Sequence, residues 1–284
     1  MKNWAAIVAF GMAISASAQR HVTDELGRSV TVPDHPHRVI CLLPSVVDDV
    51  YALGAGQDVV AVSDYTKFPA EARKKPSVGA PLSPSLEVIV ALHPDLVLGD
   101  GGLNGAETLR HLEQLGIPVF MVNSHGVEGI YRSLDSIGHA LHREDAAAQL
   151  IASLHRREAA VRARVSGKAP VQVLMPVWYD PIVTVGNHAY ITELIQLAGG
   201  HSVTSDIPEE WPQVSLETVV ARRPEALLLV RGSKVSLDVL RGRPGWNQLP
   251  AVRNHRVYYV GDEIEYPSPV AFNALEELAK EFHP

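Results

Sequence analysis

The sequence holds one cysteine, Cys41, in 284 residues, so no disulfide can close within the chain. Cys41 also lies too far from the N-terminal cleavage pattern described below to be a lipid-anchored first residue. It reads as a small core residue in a strand. No apolar run approaches the roughly 20 residues that span a bilayer, which excludes an integral helical membrane protein. An excess of basic residues is missing too. With 25 Lys and Arg against 32 Asp and Glu, the formal charge is −7, a poor match for nucleic acid or an anionic membrane surface.

Catalytic signatures are also absent. There is no G-x-S-x-G elbow, no H-E-x-x-H, no Walker sequence and no C-x-x-C. The stretch Gly99-Asp100-Gly101-Gly102-Leu103-Asn104-Gly105 approximates a dinucleotide loop. Its third glycine comes one residue late, and Asp100 would face the pyrophosphate, so it reads as a flexible close-approach loop after a strand. The 13 histidines are scattered rather than paired at ligand spacing, so the sequence predicts no dedicated zinc or manganese cage. No resident cofactor is expected.

What is present begins with an apolar run, Ala5 to Ile14, behind Lys2, ending in Ala16-Ser17-Ala18. This pattern predicts a secretory signal over 1–18, a mature chain from Gln19 with charge −8, and a soluble location outside the cytoplasm. Short β-rich runs then alternate with helical patterns: Val39–Leu43, Val59–Val62, Leu96–Leu98, Val119–Val122, Val171–Met175, Ala226–Val230 and Val257–Val260. Such alternation argues for parallel α/β sheets. Near the middle, Ala147, Leu150, Ile151, Leu154, Val161 and Val165 mark one face of a helix of about 23 residues, roughly 35 Å long. It can bridge two lobes.

The halves echo each other. Residues 85–98 align without gaps on 215–228 with seven identities in fourteen, each reading as a capped helix, a proline-marked turn and a buried strand. The expected fold is therefore α/β, with two similar, mostly parallel lobes joined by one long interdomain α-helix. The predicted divisions are an N-terminal lobe 19–142, a connecting helix 143–167 and a C-terminal lobe 168–284. Aromatic and polar residues just after the strands, Tyr65, Trp178, Tyr179, Trp211, Asp262 and Tyr266, are candidates for a ligand cleft. The loop Pro208-Glu209-Glu210-Trp211-Pro212 is ill suited to burying a tryptophan for stability alone.

From about Leu26 onward the chain resembles the periplasmic binding proteins for cobalamin and ferric siderophores. The resemblance rests on Asp24-Glu25-Leu26-Gly27-Arg28, Arg38-Val39-Ile40, Tyr51-Ala52-Leu53-Gly54, Ser85-Leu86-Glu87 with Pro94-Asp95-Leu96-Val97-Leu98, Glu193-Leu194-Ile195 with Leu197-Ala198-Gly199-Gly200, and Trp211-Pro212-Gln213-Val214-Ser215. It implies a periplasmic, monomeric carrier without catalytic chemistry, serving a membrane permease dimer and its cytoplasmic ATPase. Tyr65, Trp211 and Asp262 match positions that contact cobalamin in that family. Pro81 and Asp100 stand where a cobalamin binder has tryptophans, and Tyr266 where it has an arginine, so a corrinoid is the expected ligand while ferric siderophore or haem stay open as alternatives. Trp178 is expected to compensate from the other lobe. Glu87 and Glu217 match the glutamates that meet permease arginines, while also complementing helix dipoles behind Ser85 and Ser215. The rival from another class is an exported α/β hydrolase.

Overall fold

Both halves of the chain spend their β-branched runs on a small parallel sheet. The computed structural model describes residues 18–284; the signal expected over 1–18 lies, except for Ala18, outside the described residues. In the first half, β1 (Val39–Cys41), β2 (Val59–Val62), β3 (Leu96–Asp100) and β4 (Val119–Val122) pair in the order β2-β1-β3-β4, all parallel. In the second half, β5 (Val171–Leu174), β6 (Gly200–Ser202), β7 (Ala226–Val230) and β8 (Val257–Val260) repeat that order as β6-β5-β7-β8. Helices cover both faces of such sheets, so their strands read as continuous apolar runs. Val39, Ile40 and Cys41 are accordingly fully buried.

The fourteen-residue echo has a structural counterpart. Ser85 caps α2 (Leu86–Ala91) by accepting from the Val88 amide, and Ser215 caps α6 (Leu216–Arg222) by accepting from the Thr218 amide. Each helix then feeds the third strand of its sheet. Because a helix returning to a parallel strand runs antiparallel to it, each helix N-terminus lies toward the strands' carboxyl ends.

The long helix α4 spans Glu144–Val165, 22 residues, or about 33 Å. It packs on α3 (Gly126–Leu141) of the first half and α7 (Ala271–Phe282) of the second. Its buried residues Ala147, Leu154 and Val161 form a stripe at seven-residue spacing, and Arg157 binds Glu276 of α7 at 2.6 Å. Gly138 sets the approach of α3 to α4, since a Cβ there would sit 2.6 Å from the Ala147 Cβ. Gly138→Ala should therefore destabilise the protein by about 1–3 kcal/mol, the overpacking range, although alanine is the better helix former. Urea unfolding checks this, and adding Ala147→Gly should restore most of the loss.

Candidate functional site

Strand order reverses between β1 and β3 in one sheet and between β5 and β7 in the other, and ligands of open α/β sheets bind outside the carboxyl ends at such points. A hollow lies at each. The larger, about 430 Å³, is lined by Leu43, Pro44 and Ser45 after β1, Asp100 at the end of β3 with Gly102 beyond it, and Asn123, Ser124 and His125 after β4. From the second lobe come Tyr190, Glu210, Glu265 and Tyr266, so this cleft lies between the lobes. The smaller, about 240 Å³, is lined by Met175 to Val177 after β5, Val230 at the end of β7 with Ser233 beyond it, Ile191 and Trp211. Glu265 borders both, which makes them adjoining parts of one groove.

The loop that resembled a dinucleotide site closes on itself. The Asp100 carboxylate accepts from the Gly102 and Ser124 amides at 2.8 and 2.9 Å, occupying donors that a phosphate would need. Asn104 accepts from the Asp100 amide and donates to the Pro81 carbonyl, which fixes Pro81 and Asp100 side by side on the cleft wall.

The sequence-predicted residues separate into three groups. Tyr266 and Trp211 line the groove, Tyr266 only 8% exposed and Trp211 44%. Tyr65, 74% exposed, and Asp262 stand at the junction between lobes. There the Tyr266 hydroxyl donates to the Tyr65 carbonyl at 3.4 Å, and Asp262 accepts from Lys67 at 2.6 Å. Trp178 lines neither hollow. A register irregularity between Pro176 and Trp178 changes the pleat, and its indole stacks on Tyr179 while donating to the Asp180 carbonyl.

Lys67, Glu265, Tyr190 and His125 escaped the sequence reading. Lys67 lies 6.0 Å over the Tyr266 ring, and Phe68 meets that ring edge-on. Its ammonium is held above the usual range, chiefly by the hydrogen bond to Asp262. Burial pushes the Glu265 carboxyl up, opposed by Lys67. Further cross-lobe bonds run from the Val270 amide to Asp48 in α1 (Pro44–Ala52), and from the Val127 amide to Glu193 in α5 (Tyr190–Leu197). The only signal for Glu265 was its place just after β8.

Glu87 and Glu217 are both exposed in the first turns of α2 and α6. Its own backbone amide, then Ser215, lowers the Glu217 carboxyl. Pro81 and Leu82 place Glu87 a few residues from the cleft, and Trp211 does the same for Glu217.

A groove between two lobes at paired switch points is the architecture of a binding protein. A family model described as periplasmic binding protein matches residues 39–264, and the chain belongs to that family. The chain is 30% identical over 257 residues to a vitamin B12-binding protein of Vibrio parahaemolyticus, covering 89% of this chain and 92% of that one. It is 30% identical over 271 residues to an uncharacterized ABC transporter substrate-binding lipoprotein of Bacillus subtilis, covering 93% and 85%. Among solved structures, a periplasmic heme-binding protein of Roseiflexus in apo form superposes with a TM-score of 0.80 at 26% identity, covering 87% of this chain and 98% of that one. The family consists of binding components of ABC importers, which carry ligands rather than transform them. Among the described residues, no helix is long and apolar enough to cross a membrane.

Proposed function

We propose that this protein is the periplasmic ligand carrier of an ABC importer, that its groove holds a bulky corrinoid of the cobalamin type, and that Glu87 and Glu217 dock it onto a permease dimer. In this reading residues 19–142 and 168–284 are the two lobes, 143–167 the strut between them, and 1–18 the export signal. The supporting observation on ligand class is the charge of the groove. Asp100, Glu210 and Glu265 line it, and neither hollow has a lysine or arginine in its lining. Lys67, at the edge, is already paired with Asp262. A ligand rich in carboxylates or an oxyanion would meet uncompensated like charge, which costs several kcal/mol. A corrinoid edged with uncharged amides donates hydrogen bonds to those carboxylates and lays its apolar face on Trp211, Leu103 and Tyr266. The relative with the same proposed ligand is a vitamin B12-binding protein.

Calorimetric titration of the mature protein with cyanocobalamin, haemin and a ferric hydroxamate tests this. Stoichiometric binding of cyanocobalamin, tighter than the other two, is the expected result. Preference for haemin or the hydroxamate would move the protein to another ligand class of its family. Trp211→Ala should weaken cyanocobalamin binding about tenfold, or roughly 1.4 kcal/mol. Trp178→Ala should change it little, because that indole faces Tyr179.

A further inference from the structure

Far from the cleft, the fold brings a third donor, His142, onto a neighbouring pair, Asp34 and His35, that lies more than a hundred positions earlier in the sequence. Asp34 follows the N-terminal hairpin of Gln19–Thr23 and Ser29–Pro33, His35 follows Asp34, and His142 closes α3. Among the described residues, this is the only group of three or more His, Cys, Asp or Glu whose ligand atoms all lie within 4.8 Å of one another. We propose that Asp34, His35 and His142 form a site for a first-row divalent transition cation such as Zn²⁺.

The distances suit such an ion. His142 Nδ1 lies 3.1 Å from Asp34 Oδ1, and His35 Nε2 lies 3.7 Å from Asp34 Oδ2. Tetrahedral zinc with bonds near 2.1 Å holds its donors about 3.4 Å apart. Two imidazoles and one carboxylate form a borderline donor set that suits zinc, copper or nickel and is poorly matched to calcium or magnesium. The rings of His35 and His142 stack with centroids 4.8 Å apart and planes 11° from parallel. Parallel rings do not aim both lone pairs at one point, so binding requires His35 to rotate. Its side chain is 63% exposed and free to do so. His142 is set by the backbone, which turns left-handed at φ 57° to end α3.

The surrounding charges permit a cation. Arg20 reaches Asp34 Oδ1 at 3.6 Å, but its charge is shared with Glu144 at 3.5 Å, and Glu144 also meets His139. Oδ2 of Asp34 is not engaged by Arg20. A bound ion would pin the hairpin to the junction of α3 and α4. The site lies one helix length from the cleft: α3 starts next to cleft-lining His125 and, over 16 residues, runs about 24 Å.

The test is calorimetric titration of tag-free, chelator-stripped protein with ZnCl₂, with thermal melts in parallel. We expect one saturable Zn²⁺ per chain and a melting temperature that rises with the metal. His35→Ala and His142→Asn should each weaken binding roughly tenfold or more, since loss even of groups supporting a ligand costs 10–100-fold. Asparagine is chosen because it tolerates the left-handed backbone. His37→Ala, removing an exposed histidine paired instead with Asp58, should leave the affinity unchanged. Absence of saturable binding by the unmodified protein, or unchanged affinity in either ligand variant, overturns the site.

Discussion

A Glu87→Lys, Glu217→Lys double variant will bind ligand in solution as the unmodified protein does and yet support little uptake. Both carboxylates are exposed, each in the first turn of a short helix whose serine cap holds it in place. Neither lines the groove, so reversing them leaves the ligand's surroundings intact. The matching halves of the chain place them at equivalent points on two lobes, an arrangement that suits a two-fold permease. If each meets an arginine there, lysine replaces attraction by repulsion, and like-charge contact costs several kcal/mol. That corresponds to a docking affinity lower on the order of a hundredfold or more. Uptake in proteoliposomes with the cognate permease, measured beside calorimetric ligand binding, separates the outcomes. Undiminished uptake removes the docking role, and lost ligand binding in a folded variant places these glutamates in ligand recognition.

Asp49→Asn will stabilise the protein at neutral and alkaline pH and flatten its stability against pH. Asp49 lies in α1, is fully buried, and neither of its carboxylate oxygens has a hydrogen-bond partner. Burial first, then the charges of Asp48, Glu25 and Asp100, raise its carboxyl well above the ordinary range. The native state therefore holds a proton that the unfolded chain releases above the usual carboxylate pKa of 3.8. Stability from this group is fully present below that value and is lost as pH rises toward the native pKa. While the native group stays protonated, the loss is about 1.4 kcal/mol per pH unit. Asp48, Glu25 and Glu265, also raised chiefly by burial, add to the same trend. Glu158 and Glu144, which are lowered, oppose it. Comparing the variant with the unmodified protein isolates Asp49. Urea unfolding at pH 5 and pH 8 should show the variant gaining on the unmodified protein as pH rises. An equal pH dependence in both proteins would mean that Asp49 titrates normally.

The parallel strands built from Val, Ile and Leu were legible because burial on both faces leaves an uninterrupted apolar run. The exception is β6, whose Gly-His-Ser sequence follows Leu197-Ala198-Gly199 and reads as the end of a helix. It forms because it needs only one neighbour, pairing at the sheet edge with β5. Position after a strand singled out Tyr266, and the proline-bounded loop singled out Trp211; both line the groove. Position after a strand carries no side-chain direction, and at Trp178 the irregular pleat decides the direction. Lys67 could not be read, because its meaning depends on Asp262, 195 positions away. The acidity of the groove was hidden for the same reason: Asp100, Glu210 and Glu265 are distant in sequence and converge only in the fold.

The strut α4 and the bonds that cross between lobes, from Lys67 to Asp262, Val270 to Asp48 and Val127 to Glu193, hold the two lobes in one arrangement and oppose hinge motion. If that arrangement persists on loading, an empty carrier presents nearly the same outline as a loaded one. A transporter that recognises this outline spends part of its time occupied by molecules with nothing to deliver. Flux through it is governed by the ratio of filled to vacant carriers rather than by the abundance of carrier alone.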